Sequence, residues 1–164
     1  MMEKIISFYR FFNISDTKKL RKNMQVLCED LNLLGTILIS AEGVNGTLSG
    51  KENAIKFVLE WLRKQLGIKG SLDGRWLESP VPPFKKMHVK EKKEIVALGR
   101  PDILPHRHNN NNYVIPQEWN ELLEDPDTLI IDTRNNYEIE IGTFIHAINP
   151  NTNTFREFPD FVNK

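Results

Sequence analysis

The sequence predicts an α+β domain of order β-α-β-β-α-β, followed by the opening elements of a second, α/β domain. Three observations carry that prediction. Two stretches with helical spacing of apolar residues alternate with four short β-prone runs before residue 78. A Pro-rich break, Ser79-Pro-Val-Pro-Pro-Phe84, then interrupts the pattern. Beyond it, Leu129-Ile-Ile131 is a continuous apolar run ending in Asp132, as in a strand buried on both faces of a parallel sheet.

The elements follow in order. Ile5 to Phe12 is apolar and aromatic and reads as a strand. Ser15 and Asp16 offer an N-cap. Leu20, Met24, Leu27, Leu31 and Leu34 then recur at helical spacing, so a helix is expected over 16–33 and Gly35 closes it. Residues 36–40 and Val44–Leu48 make two strands joined by a short hairpin through Glu42-Gly43. The glycines of Ala41-Glu-Gly-Val-Asn-Gly-Thr-Leu-Ser-Gly50 are explained by backbone freedom at turns. Ser49-x-x-Glu52 has the spacing of a capping box, announcing a helix that buries Ala54, Phe57, Val58, Trp61, Leu62 and Leu66 before Gly67. Ser71–Leu77 completes the ferredoxin-like unit, an antiparallel sheet with two helices on one face.

Domain limits follow from these signals: 1–78 for the ferredoxin-like (acylphosphatase-like) domain, 79–112 for a linker, and 113–164 for the second domain. In the last, Pro116 suits a first helical turn, with Trp119, Leu122 and Leu123 as its apolar stripe. A short strand is expected around Ala147-Ile148, and Thr154-x-x-Glu157 repeats the capping-box spacing.

Charge is balanced overall but unevenly placed. Residues 1–100 hold 18 basic and 11 acidic side chains, and residues 101–164 hold 4 and 11. The first part suits a polyanion; attraction between the halves explains the same pattern. Lys85, Lys86, Lys90, Lys92 and Lys93 cluster within nine residues, with Arg75 nearby. An extended segment there would track a phosphate backbone, with Trp76 or Phe84 stacking on a base. The competing reading is a solvated strand partly neutralised by Glu91 and Glu94.

No apolar run is long enough for a membrane-spanning helix. A single cysteine, Cys28, excludes an internal disulfide and suits a reducing cytoplasm. His106-Arg-His108 lacks the further ligands of a zinc site, so no metal is expected. Asp132, Arg134 and Glu138 could form an ion-pair network that pins a loop to a short helix.

Asp132, Arg134, Glu138, Gly142 and Phe144 fit D-x-R-x-x-x-E-x-x-x-G-x-F, and Ala147-Ile-Asn-Pro150 follows. This resembles the start of a rhodanese domain. With Glu94-Ile-Val-Ala-Leu-Gly99, the glycine-rich stretch 41–50, and 142–159, the chain resembles the bacterial rhodanese-domain tRNA uridine hydroxylases. The resemblance covers nearly all of 1–164. It implies a ferredoxin-like domain followed by a rhodanese domain. The implied activity is 5-hydroxylation of the wobble uridine of tRNA, with molecular oxygen as co-substrate and no bound cofactor evident. It also implies tRNA as partner and a cytoplasmic location.

The chain departs from that family in three places. Rhodanese chemistry uses a cysteine thiolate on a tight loop, which the family carries beyond the position of Lys164. Cys28 lies beside an apolar helical stripe and is expected to be a buried structural thiol. His146 stands where members usually have glycine, and the loop 106–112 lacks the usual glycine before Tyr113-Val114. The expectation is therefore an N-terminal piece, inactive by itself and with no catalytic residue of its own. A tRNA-binding module without catalysis, and a fragment of a rhodanese-type sulfurtransferase, are the alternatives. Residues 113–164 are expected to be marginal alone, with an unpaired strand edge open to self-association.

Overall fold

Alternation along β1, Glu3–Phe11, sets the plan of the first unit. Ile6 and Phe8 point to one side and are buried, whereas Ser7 and Tyr9 point to the other and are exposed. The computed structural model describes residues 2–100, 102–103 and 114–163. His106, His108 and Tyr113 lie outside them. The described residues form two compact units, one running to Val96 and the other from Ala97 onward.

In the first unit, β1, β2 (Leu34–Ser40), β3 (Gly43–Gly50), β4 (Arg75–Ser79) and β5 (Met87–Glu91) form one sheet of order β4-β1-β3-β2-β5. The first four strands are antiparallel, and β5 runs parallel to β2. Helices α1 (Thr17–Asp30) and α2 (Glu52–Leu66) cover one face. Ile6, Phe8, Ile37 and Leu48 from the sheet meet Met24, Ile55 and Leu62 from the helices in one fully packed cluster.

The ferredoxin-like order is as the sequence predicts, with a fifth strand added. The fifth strand comes from residues assigned above to the linker. It stays in place because α1 satisfies its outer edge. The Gln25 amide donates to the Met87 carbonyl at 3.2 Å, and Gln25 Oε1 accepts from the Val89 amide at 2.7 Å. An edge strand's outward groups would otherwise be left for another chain.

Four local expectations are corrected. α1 ends at Asp30, short of the expected residue 33, and Gly35 does not close it, because Asn32 turns the chain with φ 53°. Gly35 lies inside β2, where a Cβ would meet the Thr47 carbonyl oxygen at 2.0 Å. The second helix has Lys51 as N-cap and Glu52 as its first residue, so no capping box forms; Ser49 remains in β3. Its buried stripe is Ile55, Val58, Leu59 and Leu62, while Phe57 is 56% exposed. Gly46 sits mid-strand and not in a turn: a Cβ there would approach Phe8 and Ile37 at about 3 Å.

The second unit holds α3 (Pro116–Glu124), α4 (Asn136–Ile141), a 3-10 turn at Phe155–Glu157, and α5 (Phe158–Val162). Pro116 opens α3 as expected. The expected parallel strands reduce to one bridge, Ile131 with Ile148. Leu129 is 69% exposed, contrary to the buried strand inferred from its apolar run. No second rung extends the pairing and no described element covers that residue. Among the described residues of this unit no Val, Leu, Ile, Phe or Trp side chain is buried, although Pro150 and Thr152 are.

Candidate nucleic-acid interface

The basic segment 85–93 is built around β5. Met87 and Val89 face the helices and are buried, so His88 and Lys90 face the opposite side and are exposed. Lys85 and Lys86 precede the strand, Lys92 and Lys93 follow it, and all four are exposed. Lys92 gives its backbone amide to the Ile39 carbonyl at 2.8 Å, which fixes the chain and leaves the side chain outside the sheet. Glu91 turns to the helix side and accepts from the Thr17 hydroxyl, so it faces away from Lys90.

The six predicted basic positions do not form one patch. Arg75 opens β4, at the opposite edge of the sheet from β5. Four strand spacings separate the two edges, or about 19 Å. Trp76 points to the helix side, donates to Asp73 at 3.2 Å and packs on the core, so it is not exposed beside Arg75 as a stacking platform.

Glu42, the one ionisable side chain of the glycine-rich stretch, has an anchoring role. Its carboxylate accepts the Ile95 amide at 2.6 Å, and Asn45 donates to the Ile95 carbonyl at 3.0 Å. Ile95 is thereby buried over Gly43, whose φ of 151° and close approach to Arg10 leave no room for a side chain. The chain leaving β5 is held against the hairpin end of the sheet. Sequence spacing gave no sign of this clamp, because its partners are about fifty residues apart.

In the second unit Asp132, Arg134 and Gly142 come together. Arg134 Nε donates to Asp132 Oδ1 at 2.9 Å and Nη2 donates to Oδ2 at 2.6 Å. The same Nη2 reaches the Gly142 carbonyl at 2.7 Å, and the Thr143 hydroxyl donates to Asp132 at 2.7 Å. The Arg134 guanidinium, joined by the Thr143 hydroxyl and the Arg134 amide, holds the Asp132 carboxyl far below the usual carboxylate range. Glu138 does not join as an ion pair; it accepts the Asn135 amide at 3.2 Å and caps α4. Trp119, Ile130 and Phe144 line a cleft of about 620 Å³ next to this network. The arrangement fixes a loop, and its carboxylate is fully committed to hydrogen bonds.

Cys28 is wholly buried, with its thiol 3.8 Å from the Met24 sulfur. Burial pushes it up to about 12, so the thiolate is not accessible near neutral pH.

The match to a family model agrees with the architecture of the first unit. Residues 3–95 match the model of the UPF0176 acylphosphatase-like domain. A tRNA uridine(34) hydroxylase of Rhizobium leguminosarum bv. trifolii is 46% identical over 158 residues, covering 96% of this chain and 50% of that protein. One from Synechocystis is 43% identical over 162 residues, covering 99% of this chain and 58% of that protein. The chain thus spans about half the length of these relatives. An acylphosphatase from Coxiella burnetii is similar at 18% identity with a TM-score of 0.40, over 54% of this chain and 93% of that one. Matched over more than half its length by that model, the chain belongs to the UPF0176 family and carries its acylphosphatase-like domain at residues 3–95.

Proposed function

We propose that the chain is the tRNA-holding part of a cytoplasmic enzyme that hydroxylates the wobble uridine of tRNA with molecular oxygen. The observation that carries the binding role is the exposed lysine cluster on and around β5. An edge strand held by Gln25 presents these cations on a rigid support, and phosphate neutralisation dominates RNA affinity. The names of the relatives support the substrate. We take residues 114–163 as the opening part of a rhodanese-type domain. The parallel bridge Ile131–Ile148 and the network of Asp132, Arg134 and Gly142 support that assignment.

Catalysis is assigned to residues outside this chain, because its one thiol is buried and held protonated. The test is to incubate the chain with unmodified tRNA under air, then measure bound tRNA and the mass of the wobble nucleoside. Saturable binding with an unmodified uridine is expected. Absence of binding overturns the proposed role, and formation of hydroxyuridine overturns the assignment of catalysis elsewhere.

A further inference from the structure

We propose that the open face of the five-stranded sheet holds single-stranded RNA, with unpaired bases lying over the central strands and phosphates held at its edges. This rests on the tRNA reading above and adds to it a surface and a preference for loops over duplex.

Strand register places Arg75, Ser7, Thr47, Thr36 and His88 in one row across all five strands. Ser7 and Thr47 share a hydrogen bond of 3.0 Å at the centre of the row. The row ends in Arg75 on one edge and His88 on the other, both exposed. Lys90 follows two residues on from His88 on the same face. Tyr9 lies two residues along β1 from Ser7 on the same face, 49% exposed, with its ring edge-to-face on Phe11 at 6.1 Å. Tyr9 stands opposite Asn45, whose amide holds the Ile95 carbonyl and so closes that end of the face, while on its other side Ser7 and Thr47 leave a flat platform of small hydroxyl side chains on which a base can stack against the ring.

Charge complementarity favours RNA as the occupant. Glu3, at the far end of β1, is the only carboxylate among the strand residues directed to this face, and Glu42 in the turn between β2 and β3 is occupied by the Ile95 amide. Glu78 and Glu91 point to the helix side, where Lys4 and Thr17 bind them. The helix side offers no competing anion site at α1, because Asp16 accepts the Lys19 amide at 2.9 Å and fills that helix terminus. A sheet roughly 19 Å across has no groove for a duplex, whereas splayed bases suit it.

The test compares two RNA probes, a hairpin with a seven-nucleotide loop and a blunt duplex of equal length, by fluorescence anisotropy. Two variants alter the face away from the lysine cluster. Ser7→Glu places a carboxylate opposite Arg75, where the resulting cross-strand pair preserves the fold. Tyr9→Leu removes the ring but keeps an apolar side chain. The wild-type chain is expected to prefer the hairpin. Each variant should weaken hairpin binding about tenfold or more while changing duplex binding less than about twofold. Unchanged hairpin affinity in both variants overturns the proposal while leaving tRNA binding by the lysines intact. Loss of all RNA binding in the wild-type chain overturns both. A wild-type dimer in solution that Ser7→Glu converts to monomer would assign the face to a second copy and also overturn it.

Discussion

Reversing Lys90, Lys92 and Lys93 to Glu probes the polyanion role at its source. All three side chains are exposed, and the trio is tied to the sheet by backbone alone, Lys90 within the β2–β5 ladder and Lys92 through its amide on Ile39, so the fold should survive. If the five lysines of 85–93 each neutralise one phosphate, log affinity falls with log salt at a slope of about −3.5 to −4.5. Raising salt from about 50 to about 200 mM then weakens binding roughly 100- to 500-fold. With two lysines left, the slope falls to about −1.4 to −1.8 and the same change costs roughly 7- to 12-fold. Arg75, at the other edge of the sheet, is untouched by the substitutions, so a phosphate held there adds about 0.7 to 0.9 to both slopes and leaves their difference unchanged. Anisotropy titrations with unmodified tRNA at several salt concentrations read both slopes. A variant with wild-type melting behaviour and a slope within about 0.5 of wild type would refute the assignment of these lysines to phosphates.

Three further outcomes follow from the same geometry. Gln25→Ala removes both hydrogen bonds to the outer edge of β5 and should cost about 1–3 kcal/mol in denaturant unfolding; a change below about 0.5 would show that the edge is held otherwise. His146 has φ 64°, a conformation that costs L-residues about 1 kcal/mol or more, so His146→Gly should slow amide exchange over 129–148; faster exchange would contradict the strain. Cys28 should resist thiol reagents at pH 8 in the folded chain and react once unfolded. Because its folded value is raised, the protonated thiol favours the fold below about 9, and that contribution is lost as pH climbs toward about 12. Reaction of the folded chain as fast as an open thiol would contradict the burial.

The sequence revealed what depends on near neighbours. Asp16 caps α1 as its position suggests, and the β-α-β-β-α-β order follows from apolar spacing and turn punctuation. Cys28 could be placed in the core because Met24 and Leu20 lie on the same helical stripe. The phase of α2 was harder to fix. Ala54, Phe57 and Trp61 share one flank, Ile55 and Leu59 the other, and only packing against the sheet selects the second. Residues 85–93 could be read as basic and extended, but their place in the sheet depends on the open edge of β2 and on Gln25, more than sixty residues away. Strand order also separates Arg75 from the lysines, although they are close in sequence. The open-face row is invisible to spacing because each residue comes from a different strand.

The most direct measurement is photocrosslinking with tRNA that carries 4-thiouridine at anticodon-loop positions other than the wobble base, mapped by mass spectrometry of the protein. Crosslinks to β1 and to residues 85–93 are expected. Crosslinks confined to the outer surfaces of α1 and α2, or to the second unit, would contradict that expectation.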